Sequence, residues 1–437
     1  MMPEDEEFLA DLYRSLNQEE ILPGDERYVS FHEFDGATGP DVVRQLVRDV
    51  SWTTAGSIFF LTGTRGCGKS TQLRRVKAEL AQRGFAPVLV SAEEYVNLRQ
   101  RLDVVEFLYA LVGGISDAVA EEGWLPREQA LERGWGALRR WFVGLRGRLE
   151  VTTEASLESG VDVFGVVDAK VNVKAQLRQD ESFVKQLNTY LGGRVSELAA
   201  EANKIVDDLV DQLREAWARD GRGDWKGLVV LFDDLDHVRG VDFSEVRQAL
   251  QMLLDTHSAT IKLRNCRTVL VVPPWVNIDY EPIRMLSSVK VRTVDGADFQ
   301  PGIEALTEMI SKRVPGRDVS RAFADPALLR QIVLDSGGHL RDLLRLVREA
   351  CVSASGLPFD SDLVDRARGS VRETLLPLAA DEKEALAHIA ASHEVFLPSQ
   401  DSWGALAGLF DRHLVLGYKN GEFWYGVHPL VADDLGT

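Results

Sequence analysis

The chain has 437 residues, 45% of them hydrophobic and 27% charged, with a formal charge of −18. That length predicts roughly two to four domains with real cores. No apolar run approaches the roughly 18–20 residues of a membrane-spanning helix, and the acidic excess argues against a life on nucleic acid or anionic lipid, leaving room only for a local basic groove.

Cys67, Cys266 and Cys351 are too scattered for a metal or disulfide framework. The acidic start, Met1 to Glu7, lacks the parts of a secretory signal, so a reducing cytoplasm is the expected home. Residues 1–50 read as a helical preamble: Phe8, Leu9, Leu12, Tyr13 and Leu16 share one helix face, and Val42 to Val50 is helical again.

The first chemical landmark follows. Ile58 to Leu61 is an apolar run that predicts a buried strand, and Leu73, Val76 and Leu80 mark one face of a helix. Between them, Gly63-Thr64-Arg65-Gly66-Cys67-Gly68-Lys69-Ser70, followed by Thr71, fits G-x-x-x-x-G-K-[ST] in its strand–loop–helix setting. Such a loop curls backbone N–H groups round a phosphate, and the helix it opens points its positive end at the same anion. Lys69 is then the contact to the β- and γ-phosphates, and Ser70 a ligand of Mg²⁺. Residues Gly63 to Thr71 are therefore the expected ATP-binding segment. Tyr28 and Val29, just ahead of the strand, suit either adenine contact or simple packing.

Phe85 to Ser91 reads as the second strand of a βαβ unit, which predicts a parallel sheet covered by helices. Residues 98–224 read as an insertion. Val104 to Val119 predicts an apolar helix, Val161 to Val173 an alternating ribbon, and Glu181 to Trp217 one long amphipathic helix.

Leu228 to Phe232 is the next buried strand, and Asp233 and Asp234 emerge at its C-terminal edge, where parallel sheets bind ligands. Asp233 suits Mg²⁺, and Asp234 suits orienting or deprotonating the attacking water. Asp236 is either a supporting carboxylate or a helix N-cap. Cys266 to Val272 is a further strand, ending on Pro273-Pro274 where a polar side chain would be useful, with Asn277 as a distant substitute; Val289 to Val294 predicts the last strand. Arg284 is either an arginine finger or a surface residue. Gly337-Gly338-His339-Leu340-Arg341 reads as a glycine break before a helix. Arg341 in its first turn is poorly placed for the helix dipole, which invites a compensating anion such as a nucleotide phosphate.

The tail, 373–437, predicts helices over Glu382 to Ala391 and Trp403 to Leu416, then a hairpin at Asn420-Gly421: a winged helix. From Pro377 to Thr437 there are three basic and nine acidic residues, 3 − 9 = −6, which favours a structural or protein-facing module over a DNA grip.

This order of parts resembles the bacterial AAA+/STAND-type P-loop ATPases, near the origin-recognition and KAP clades. The resemblance rests on the Gly63–Thr71 loop, Phe232-Asp-Asp-Leu-Asp236, the Gly-Gly-x-x-Arg341 segment and the tail. It implies an α/β P-loop NTPase with a parallel sheet core spanning 51–300, a helical insertion, a helical lid over 301–372 and a C-terminal winged helix. It implies ATP and Mg²⁺ as cofactors, Lys69, Asp234 and Arg341 as catalytic residues, and Arg341 as the lid's reporter of the γ-phosphate. It further implies a nucleotide-controlled switch that oligomerises and works with a separately encoded effector, as in antiphage or other conflict systems. A DNA-acting, origin-recognition-like ATPase and an ATP-stabilised scaffold are the alternatives. The chain departs from the family in Asp234, where Glu is usual, so slow hydrolysis is expected.

Overall fold

The computed structural model describes residues 3–17, 21–152, 173–238, 243–395, 403–420 and 422–435. Its centre is a five-stranded sheet in the order β2-β3-β4-β1-β5, with β1 (Ile58–Gly63), β2 (Ala86–Ser91), β3 (Leu228–Asp233), β4 (Cys266–Val271) and β5 (Ile283–Leu286). The pairs β2·β3, β3·β4 and β4·β1 are parallel, with Ser91 opposite Asp233 and Ile58 opposite Thr268. Every residue of β1, β3 and β4 is buried, which is why these strands read as unbroken apolar runs rather than alternating ones.

The last strand is a correction. Val289 to Val294 forms no sheet strand; the edge position belongs to β5, six residues upstream and including Arg284. The backbone of 289–291 spends its hydrogen bonds elsewhere: Val289 N–H donates to the Gly338 carbonyl, Lys290 N–H to that of Ala37, and Phe299 N–H to that of Val291. An alternating sequence thus finds partners in loops instead of a sheet.

The insertion is helical among the described residues: α4 (Val104–Glu121), α5 (Arg127–Leu131), α6 (Ala137–Thr152), α7 (Val173–Gln179), α8 (Glu181–Leu191) and α9 (Val195–Arg219). The expected ribbon lies outside the described residues, except Val173, which opens α7. The long helix expected over Glu181 to Trp217 is broken at Gly192-Gly193-Arg194, a short 3₁₀ turn, where two glycines remove helix propensity. No described helix is long and apolar enough to cross a membrane.

The chain divides into two compact units, Met1–Gln45 with Thr62–Arg75 and Arg284–Thr437, and Leu46–Leu61 with Val76–Ile283. In the first, α1 (Pro3–Ser15) places Leu12 and Leu16 in the same core as Leu306 and Ile310 of α11 (Gln300–Ser311). That core also holds Ile332 of α12 (Pro326–Asp335), Leu343, Leu346 and Val347 of α13 (Leu340–Ser353), and Leu363 of α14 (Ser361–Glu373).

The C-terminal segment contributes to it as well, through Leu386 and Ile389 of α15 (Ala380–Ser392), Leu409 of α16 (Trp403–Asp411), Val415 and Val431. α16 ends at Asp411, earlier than expected, because the chain turns through His413 in a left-handed conformation (φ 60°). β6 (Val415–Asn420) and β7 (Glu422–Val427) then pair antiparallel, Asn420 opposite Glu422, and complete the helix–helix–hairpin form of a winged helix. The fold is thus the expected α/β P-loop architecture with a parallel sheet core, a helical insertion, a helical lid and a C-terminal winged helix.

Candidate nucleotide site

The phosphate loop lies between β1 and α3 (Lys69–Gln82). The Lys69 ammonium is buried and donates to the carbonyls of Gly63 and Thr64, both at 2.9 Å. Cys67 N–H donates back to the Thr64 carbonyl at 3.3 Å, tightening the loop, and Gln72 N–H to that of Gly68 at 3.0 Å. Cys67 is buried. Ser70 and Thr71 are half-buried in the first turn of α3, where helical N–H groups have no partner within the helix.

The loop is closed on one side by the start of α13. A Cβ on Gly66 (φ +89°) would stand 2.7 Å from Arg341 Cβ, 3.0 Å from Arg341 Nε and 3.1 Å from His339 Cε1. Glycine is therefore required at 66 both by its backbone and by the side chains against it. The glycine break before α13 has an equally concrete cause: a Cβ on Gly338 (φ +78°) would lie 1.6 Å from the Val289 carbonyl oxygen.

The break places the Arg341 side chain beside Gly66 of the loop. Burial, reinforced by the neighbouring Arg65 cation, holds the Arg341 guanidinium below its usual range. Together with Lys69, these two cations concentrate positive charge beside a helix N-terminus, an environment that suits an anion. Two atoms are buried there without hydrogen-bond partners, Thr64 Oγ1 and Arg65 Nε. A buried donor left unmade costs about 1–3 kcal/mol, so two such atoms leave room for an acceptor from a ligand.

The acidic residues belong to the other unit. Asp233 ends β3, buried, and its Oδ1 accepts from the Asp234 N–H at 2.9 Å. Asp234 sits in a left-handed conformation (φ 70°), a strained position for a non-glycine residue. The Ser91 hydroxyl at the end of β2 donates to Asp234 Oδ2. His237 Nδ1 lies 2.6 Å from Glu93 Oε1 and 3.5 Å from Asp234 Oδ1. Burial raises the Asp234 carboxyl above its usual value against the pull of the Ser91 bond and of His237; a raised carboxylate is a better base.

Asp236 is not a helix cap. It lies inside the one-turn 3₁₀ segment Leu235–His237, whose N-cap position is Asp234, and the next helix, α10 (Phe243–Leu254), begins further on. Asn277 is exposed, and its side-chain amide donates to Asp279 at 3.1 Å. Tyr28 is engaged by Arg75 of α3, whose guanidinium lies 4.6 Å from its ring centroid and bonds its hydroxyl; that is the packing alternative. Sequence reasoning passed over Ser91, whose signal was its place at the end of a parallel strand, and His339, whose signal was the glycine pair before it.

No protein-family model matches the sequence, and no curated protein does. Among solved structures, the ORC2 protein of Aeropyrum pernix, described as ADPNP–ADP complexes, is 13% identical with a TM-score of 0.36, covering 90% of both chains. Cdc6p from Pyrobaculum aerophilum is 13% identical with a TM-score of 0.36, covering 95% of this chain and 93% of its own. Similarity at this level identifies neither family nor function.

Proposed function

We propose that the protein binds ATP with Mg²⁺ and hydrolyses it slowly, acting as a nucleotide-controlled switch. The observation that supports this best is the phosphate loop: Lys69, Arg65 and Arg341 gather at a helix N-terminus with Thr64 Oγ1 and Arg65 Nε buried and unpartnered. A triphosphate supplies the acceptors those donors need. Ser70 and Asp233 are the hard oxygen donors suited to Mg²⁺. Asp234 is the base or orienter for water, and Arg341 the residue through which the lid senses the γ-phosphate. A self-associating assembly with a separately encoded protein partner, in a cytoplasmic setting, completes this reading.

The test combines mass photometry with phosphate release, on wild type and Lys69→Ala, without nucleotide, with ADP and with ATP-Mg²⁺. ATP-dependent assembly and turnover that Lys69→Ala abolishes support the switch. A wild type that neither binds nor hydrolyses ATP sinks it.

The second reading, a DNA-acting, origin-recognition-like ATPase, is favoured by the helix–helix–hairpin form of the C-terminal segment. Charge opposes a grip by that segment itself. Arg412 is occupied by Glu382 and by the carbonyls of Leu375 and Pro377, and the Lys419 stem lies along Gly39. A DNA titration at low and moderate salt separates the readings, because phosphate contacts impose a steep salt dependence. Conflict signalling has no residue here to carry it and is not part of the proposal.

A further inference from the structure

Four side chains that the nucleotide chemistry does not use meet beside the phosphate loop. Asp342, in the first turn of α13, is fully buried, and three imidazoles face its Oδ2: His339 Nδ1 at 2.7 Å, His413 Nδ1 at 3.2 Å and His428 Nε2 at 3.5 Å. Arg345 donates to its other oxygen at 3.1 Å. His413 and His428 come from turns of the winged segment, and His413 holds its left-handed backbone there. Burial raises the Asp342 carboxyl, but the His339 charge and the bonds from His339 and His413, with His428 close by, outweigh it and hold the group well below the carboxylate range.

The other face of His339 touches the phosphate loop: Nε2 lies 2.6 Å from the Arg65 carbonyl oxygen. One ring nitrogen faces the Asp342 carboxylate and the other the Arg65 backbone carbonyl. The ring is thus a rigid bridge between a buried carboxylate and the loop backbone. His428 Nδ1 accepts the Leu430 N–H at 3.3 Å, which leaves the proton on Nε2, towards Asp342. A divalent cation is the competing occupant of such a cluster. Three features disfavour it: Arg345 already takes one oxygen of Asp342, Arg65 and Arg341 add positive charge close by, and His428 presents a proton rather than a lone pair.

We propose that His339 is a positioning residue for the phosphate loop, oriented by Asp342, and that His413 and His428 reinforce this orientation from the C-terminal segment through their own contacts with Asp342, independently of that segment's other contacts. The inference rests on reading the loop as a nucleotide site. It makes nucleotide affinity a property that the winged segment controls through hydrogen bonds, without touching the nucleotide.

The experiment compares His339→Ala, His339→Gln, His428→Ala and, as a control, Arg372→Ala, which cuts that segment's bonds to the Leu430 carbonyl and Asp434 but leaves the cluster intact. Loss of positioning removes binding common to ground and transition states, so KM rises while kcat holds. His339→Ala is expected to raise KM for ATP about tenfold with kcat within about threefold, the weight of one charge-assisted bond. His339→Gln, which can still donate to the Arg65 carbonyl, recovers part of that rise. His428→Ala raises KM about threefold to fivefold, and Arg372→Ala leaves it within about twofold.

Wild-type KM in His339→Ala, an equal rise in Arg372→Ala, or one equivalent of divalent metal in the purified protein that His413→Ala removes would each overturn the proposal. Hydrogen exchange over residues 63–71 gives a readout independent of ATP. If wild type binds no nucleotide, the functional reading fails, yet faster loop exchange in His339→Ala than in Arg372→Ala still supports the positioning role, and equal exchange refutes it.

Discussion

The Ser91 hydroxyl donates to the Asp234 carboxylate across the paired ends of β2 and β3. This bond occupies one oxygen of the residue we propose for orienting the attacking water, and it opposes the burial that raises that carboxyl. Asp234→Asn is expected to lower kcat at least about 100-fold with ATP binding retained. Ser91→Ala is expected to raise kcat about fivefold, the weight of one hydrogen bond. Phosphate release at saturating ATP reads both, and a Ser91→Ala enzyme slower than wild type would show that the bond aligns Asp234 rather than restrains it.

Lys69 bonds the loop carbonyls of Gly63 and Thr64, so its removal loosens the loop as well as deleting the proposed phosphate contact. At ATP-Mg²⁺ about 100-fold above Kd, wild type should gain about 2.7 kcal/mol, seen as a higher Tm. Lys69→Ala should gain nothing measurable.

Gly66→Ala places a methyl against Arg341 at a left-handed backbone position. The variant is expected to lose about 1–3 kcal/mol of stability and its ATP binding. Gly338→Ala drives a methyl into the Val289 carbonyl and should cost more. Chemical denaturation with nucleotide titration separates the two: folded Gly338→Ala protein, where it is recovered, should also have lost Arg341's contribution to affinity.

Glu106, buried on α4, is pushed up to about 7 by burial, against the bond from Asn188 Nδ2 at 2.9 Å. A carboxyl raised in the folded state gives stability that is full below its unfolded value, near 4.5, and lost as pH rises through 7. Glu106→Gln, which never ionises, should match wild type near pH 4.5 and exceed it by about 3 kcal/mol at pH 8. Urea melts at the two pH values check the sign, and equal stabilities at pH 8 would refute it.

The strand–loop–helix at Gly63–Thr71, the place of Asp233 at a strand end and that of Arg341 after a glycine break are legible in the sequence, because each is announced locally by glycines at fixed offsets or by a carboxylate closing an apolar run. The edge strand was not. Ile283-Arg-Met-Leu286 is short and only half-buried, while Val289 to Val294 has the better pattern and gives its hydrogen bonds to loops. The Asp342 cluster could not be read at all: His339, His413 and His428 are far apart in the chain, and only the seating of the winged segment brings them onto one oxygen. The same holds for α1, whose apolar face announced a helix but not the lid core it enters.

That placement of α1 has a consequence for synthesis. Leu12 shares one core with Leu343 and Val347 of α13, so α1 cannot bury its apolar face against them until α13 has been made. At about 5–20 residues per second that wait lasts tens of seconds. The unit holding the phosphate loop is therefore completed late, with long-range contacts that fold slowly. During that interval α1 exposes the apolar face that carries Leu12 and Leu16.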